Sequence, residues 1–163
     1  MRADHVILGV GNLLMSDDGI GIHAARELVR NPPSGVLVVD AGTDYLSALP
    51  FLEGGRKALI LDAVQGGDPP GSIYRLAAAD IDCRPAIGSA HATSVLEARR
   101  FLPPGSPWPE ITVLGVEPSI LEYGLTLSEP VAGALPRLVA EARKIIREWR
   151  NESALNANNQ VAS

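Results

Sequence analysis

Apolar residues in this chain come in short unbroken runs separated by polar turns. Val6-Ile7-Leu8, Val36-Leu37-Val38-Val39, Ala58-Leu59-Ile60-Leu61 and Ile111-Thr112-Val113-Leu114-Gly115-Val116 lack the alternation of a strand with one wet face. Such runs predict strands covered on both faces, as in a parallel α/β sheet. Ser72-Ile73-Tyr74-Arg75-Leu76 does alternate, which predicts an edge strand that can run antiparallel. The spacing of Ile20, Ala24 and Leu28 predicts a helix over 18–30, stopped by Asn31-Pro32-Pro33-Ser34-Gly35. Further helices are expected at 44–52 and from Thr93 to Leu102, whereas 77–90 reads as irregular. Val131, Leu135, Leu138, Ala142, Ile145 and Trp149 recur at spacings of three and four and predict a long amphipathic last helix. Pro136 should kink that helix or mark its true start. Residues 1–150 read as a single domain and the Asn-rich stretch 151–163 as a polar, frayed tail.

Composition narrows the function classes. Hydrophobic residues make up 46 % of 163 positions and charged residues 20 %, enough apolar mass for a layered core. A net charge of -5, no basic cluster and only 4 % aromatic residues argue against nucleic acid as a main ligand. No run approaches the ~20 apolar residues that cross a bilayer, and the start lacks a signal-peptide pattern. The lone cysteine, Cys83, has no partner for a disulfide and no paired spacing for zinc, which fits a reducing, cytoplasmic setting.

The candidate chemistry begins after the first strand, in Gly9-Val10-Gly11-Asn12-Leu13-Leu14-Met15-Ser16-Asp17-Asp18-Gly19-Ile20-Gly21. A glycine turn there is reminiscent of a dinucleotide fingerprint, with Asp40 where an acid would hold a ribose. Leu14 replaces the third glycine, however, and Asp17 and Asp18 would repel a pyrophosphate at the helix N-terminus. The carboxylates favour a cation. Asp40 and Asp62 each directly follow an apolar run, so in a parallel sheet they share with Asp18 the carboxyl edge where such sheets bind ligands. Each acid has a plainer reading as a turn or cap residue: Asp17 as the cap of the first helix, Asp40 as a turn stabiliser. His91 is expected just before a helix, whose N-terminus disfavours imidazolium and leaves the neutral, ligating form. His5 and His23 are expected to be structural or solvated. Asp18, Asp62 and His91 together form an O, O, N donor set suited to Ni²⁺, Zn²⁺ or Mn²⁺, with positions left open for a substrate. Nucleophilic catalysis has little support: Cys83 lies beside Asp80 and Asp82, and no Gly-x-Ser-x-Gly elbow occurs.

The opening stretch resembles the first motif of the hydrogenase maturation endopeptidases. Further stretches are similar to that family in the same order: Asp40-Ala41-Gly42-Thr43, Leu61-Asp62-Ala63, Ser89-Ala90-His91, and Gly115-Val116-Glu117-Pro118 followed by Gly124-Leu125-Thr126-Leu127-Ser128. The likeness covers about residues 5–149. It implies a three-layer α/β sandwich around a twisted, mostly parallel sheet of about five strands. It also implies an aspartyl-type or metal-assisted endopeptidase that removes a C-terminal extension from a [NiFe] hydrogenase large-subunit precursor once nickel is inserted. Nickel, brought by the precursor, would be the recognition signal. By position, Asp18, Asp62 and His91 would contact nickel and carry the catalytic site, with Asp40 in the substrate cleft. Many members have Glu at the position of Asp18, so the shorter side chain here needs a closer backbone approach, which Gly19 and Gly21 permit. Asp40 or Asp17 would be available for a proton transfer. The expected partner is the precursor alone, with no nucleic acid or membrane, and the enzyme is expected to be a monomer. A non-enzymatic nickel-binding or delivery protein, a nucleotide-binding module and a peptidase of similar fold with another substrate are the competing readings.

Overall fold

The apolar runs are strands, and three of them are buried on both faces. A computed structural model describes residues 3–83 and 88–161, with side chains for all of these but 82, 83 and 158–161. In it β1 (His5–Val10), β2 (Val36–Gly42), β3 (Lys57–Ala63), β4 (Ile73–Ala77) and β5 (Glu110–Val116) form one sheet in the order β2-β1-β3-β5-β4. β1, β2, β3 and β5 are parallel, and β4 is the antiparallel edge strand. The strand class and the edge strand are as the patterning predicts.

Helices cover both faces. α1 (Ile20–Arg30) and α5 (Glu129–Val161) pack on one face against Ile7, Leu59, Leu61 and Leu114. α2 (Tyr45–Leu52) and α4 (Ala90–Ala98) pack on the other against Leu8, Ile60 and Val113. Removing both faces of β1, β3 and β5 from water is what permits sequences without polar alternation there. The chain leaves β1 for β2 on one side and then crosses to β3 on the other. The loops after β1 and β3 therefore diverge and leave a crevice between them at the carboxyl edge, the switch point of an open α/β sheet.

Several expectations need correction. Residues 77–90 are not all irregular: α3 spans Ala78–Cys83, with the Asp80 carboxylate accepting from the Ala77 N–H at 3.0 Å. α4 begins at Ala90, not Thr93, because Ser89 caps it and accepts from the Ala92 N–H at 3.1 Å. The polar stretch after residue 150 continues α5 to Val161, since no glycine or proline stops it, and Pro136 is carried inside the helix. Lys57 of β3 fastens this extension by an ion pair to Glu152 at 2.5 Å. The Cys83 side chain lies outside the described residues. Among the described residues no helix is long and apolar enough to cross a membrane.

Candidate active site

Glycines bring the first loop onto the sheet at the switch point. A Cβ at Gly21 would lie 2.0 Å from the Leu61 carbonyl oxygen and 2.5 Å from that of Val10. Only glycine lets α1 sit this close to β1 and β3. Gly11, at φ +133°, is pressed against the Asp18 backbone. Residues Ser16–Gly19 form a 3-10 turn that leads into α1. The main-chain N–H of Asn12, which a phosphate would need, instead donates to Asp18 Oδ2 at 2.9 Å. The glycines therefore serve packing and the placement of Asp18, and the nucleotide reading loses a donor.

Asp18, Asp62 and His91 converge, each offering one ligand atom, with all such atoms within 4.8 Å of one another. Asp18 comes from the 3-10 turn, Asp62 from β3 and His91 from the first turn of α4. His91 Nε2 lies 2.9 Å from Asp18 Oδ2. This contact, assisted by the charges of Asp62 and Asp18, raises the His91 pKa above its ordinary 6.5 in spite of burial. The shift runs opposite to the one expected from a helix N-terminus alone: a carboxylate in contact outweighs a partial dipole charge.

Asp62 is fully buried. Burial pushes its carboxyl well above the usual aspartate range, against the pull of the Ser89 hydrogen bond and of His91. Its Oδ1 accepts from the Ala63 N–H at 2.8 Å, and Oδ2 from the Ser89 hydroxyl and, at 3.2 Å, the Ala92 N–H. Ser89 therefore caps α4 and also holds Asp62. Sequence patterning missed this dual role because the helix was read as starting later.

Asp17 and Asp40 are not part of the cluster. Asp17 is fully buried, but caps no turn of α1. Oδ2 accepts from the Ser119 and Ile120 N–H groups and the Ser128 hydroxyl, each at 2.8 Å, and Oδ1 from the Ser128 N–H at 2.7 Å. It thus fastens the loop between β5 and α5, with both of its oxygens engaged there. Asp40 shares the α1 face of β2 with Val36 and Val38 and pairs with Arg26 of α1 at 2.8 Å. Asp62 lies on the opposite face of the sheet, in phase with Ala58 and Ile60. A carboxyl edge is shared, but strand alternation sends the two side chains apart.

His5 and His23 are also away from the cluster. His5 is buried at the far end of β1, its ring 5.6 Å from that of Trp149, and His23 lies within α1. Glu117 braces the β3–β4 connection: its Oε2 accepts from Gly66 N–H at 2.6 Å, Gly67 N–H at 3.1 Å and Tyr74 hydroxyl at 2.6 Å.

A mostly parallel α/β sandwich with two carboxylates and an imidazole gathered at its switch point defines the class. Residues 22–145 match the family model for hydrogenase maturation protease, and the chain belongs to that family. It is 32 % identical over 155 residues to the hydrogenase expression/formation protein HupD of Rhodobacter capsulatus, covering 88 % of this chain and 71 % of that protein. It is 36 % identical over 139 residues to protein FrxA of Pyrococcus furiosus, covering 82 % and 98 %. The hydrogenase maturating endopeptidase HybD from E. coli superposes with a TM-score of 0.75 at 28 % identity, over 91 % of this chain and 93 % of that one.

Proposed function

We propose that this protein is the endopeptidase that removes the C-terminal extension of a [NiFe] hydrogenase large-subunit precursor after nickel insertion, and that the precursor's nickel is what it recognises. The observation that carries this reading is the convergence of Asp18, Asp62 and His91 to within 4.8 Å. Two carboxylates and a nitrogen donor suit a borderline divalent ion, and three protein donors leave positions for groups of the precursor. Asp18, Asp62 and His91 would hold the nickel ion, which would orient a nearby peptide and polarise it as a Lewis acid.

The chain's own residues prepare the site. Asp62 is fixed by the Ala63 N–H and the Ser89 hydroxyl, so little ordering is left for the moment of docking. Asp18 and His91 hold each other until the precursor arrives. A divalent cation bound there would displace the proton that the Asp18 contact favours on His91. Asp40, on the other face of the sheet, is left outside the reacting set. The protein is taken to act as a monomer in the cytoplasm.

The test is incubation with a large-subunit precursor, with and without nickel, and mass spectrometry of the products. Loss of a C-terminal peptide only from the nickel-loaded precursor is the expected result. Asp18→Ala, Asp62→Ala and His91→Ala should each abolish cleavage while the protein stays folded. Full processing by His91→Ala, or equal cleavage of nickel-free precursor, defeats the reading.

A further inference from the structure

Beside Asp18 the fold leaves a group of large apolar side chains uncovered. Leu14 is 51 % exposed, Tyr123 78 % and Leu125 67 %, and Ile120 and Leu121 are exposed with them. Exposed apolar residues scattered singly need no explanation, but a contiguous group does. These five belong to two loops that are tied together. The Gly124 N–H donates to the Leu14 carbonyl and the Ser16 N–H to the Gly124 carbonyl, both at 2.9 Å. The Ser16 hydroxyl donates to the Glu122 carbonyl at 3.0 Å, and the Asp17 N–H to that of Ile120 at 3.1 Å. A Cβ at Gly124 would lie 2.4 Å from Ser16 Oγ, so the two backbones are in close contact. The apolar surface is held in place, and it is held to the same turn that carries Asp18.

Charge on these two loops has one sign. No lysine or arginine occurs in residues 11–19 or 117–128, the loops after β1 and β5 that form the apolar surface. Glu122 and Glu129 are exposed within and beside the apolar group. A low-dielectric rim with uncompensated carboxylates favours positive partners and repels negative ones.

The geometry points to the Leu14–Tyr123–Leu125 surface as the docking face for an extended segment of the protein substrate in which apolar side chains are interspersed with lysine or arginine. It rests on the function proposed above and names the part of the substrate that the enzyme reads besides nickel. The segment lies on the paired loops while the metal-bearing part of the same chain reaches Asp18, four residues along from Leu14.

The test compares Tyr123→Ser/Leu125→Ser with Val29→Ser/Phe101→Ser, whose apolar side chains are exposed near the end of α1 and in the 3-10 turn that follows α4. With nickel-loaded precursor, the first pair should raise KM about ten-fold with kcat within about two-fold, and the second pair should change neither. Cd²⁺ binding to the free protein should be the same in both. A fluorescein-labelled peptide of alternating leucine and lysine should bind the wild-type chain, weaken with salt and be lost by the first pair. A leucine–glutamate peptide of equal length should not bind. An unchanged KM, equal binding of the acidic peptide, or a wild-type dimer that Tyr123→Ser/Leu125→Ser dissociates would overturn the assignment. Failure of the wild-type chain to cut any precursor counts against the proposed function instead, and the peptide comparison still reads the docking face.

Discussion

Asp17 and Asp18 are chain neighbours with opposite tasks. Asp17 is fully buried and accepts four hydrogen bonds from Ser119, Ile120 and Ser128, whereas Asp18 faces His91 at 2.9 Å in a partly open crevice. The 3-10 turn Ser16–Gly19 separates them, with Ser16 at φ +49°. One carboxylate fixes the loop beside the site, and the fixed loop in turn holds the other in place.

Asp17 should therefore matter for stability at every pH above the acid range. Burial alone would raise its pKa, but the hydrogen bonds from Ser128, Ile120 and Ser119 outweigh that and leave it below the ordinary 3.8. A depressed folded value gives stability that is present above the unfolded pKa and is lost as pH falls through the folded one. Asp17→Ala should cost about 3 kcal/mol or more near neutral pH, because three main-chain donors lose a charged acceptor. Denaturant unfolding of wild type and variant should converge as pH drops below about 3.8. A variant as stable as wild type at neutral pH would refute this role.

Metal binding to the free protein should release a proton. The contact with Asp18 raises the His91 pKa above 6.5 and so favours a proton on the imidazole. A cation must displace it, so affinity should fall as pH drops through a midpoint above 6.5. Calorimetry with Cd²⁺ in buffers of different ionisation enthalpy reads the proton directly. Affinity that is flat between about pH 6 and 8 would contradict this.

Ser89→Ala should harm the site more than the fold. Loss of the α4 cap should cost about 1 kcal/mol. Without the hydroxyl, the Asp62 pKa should rise further, because Ser89 is the largest influence opposing burial. Cd²⁺ affinity should then drop at neutral pH and partly recover at higher pH. Ser89→Thr, which keeps a donor, should stay close to wild type. Equal loss in both variants would argue for a packing role alone.

Gly21 and Gly133 make a contrasting pair. A methyl group at Gly21 meets backbone oxygens of Leu61 and Val10, so Gly21→Ala should destabilise by about 3 kcal/mol and shift β3 next to Asp62. At Gly133, inside α5, a Cβ meets nothing within 4 Å, so Gly133→Ala should stabilise by about 0.5–1 kcal/mol. Thermal unfolding of the two variants in opposite directions is the expected result.

Sequence by itself determined the sheet, because unbroken apolar runs are a local record of burial on both faces. It also determined that Asp18, Asp62 and His91 belong together, through the position of each acid behind a strand and the motifs in order. Tertiary structure alone decided the roles within that set of polar residues. The alternation of strand faces turned Asp40 toward Arg26 and away from Asp62, although both acids follow equivalent runs. The folding-over of the β5–α5 loop made Asp17 an internal anchor through residues more than a hundred positions away. Ser89 became a partner of Asp62 only when α4 met the end of β3. Periodicity is set by neighbours in the chain, whereas a hydrogen bond is set by neighbours in space, and the two coincide only where a single element supplies both.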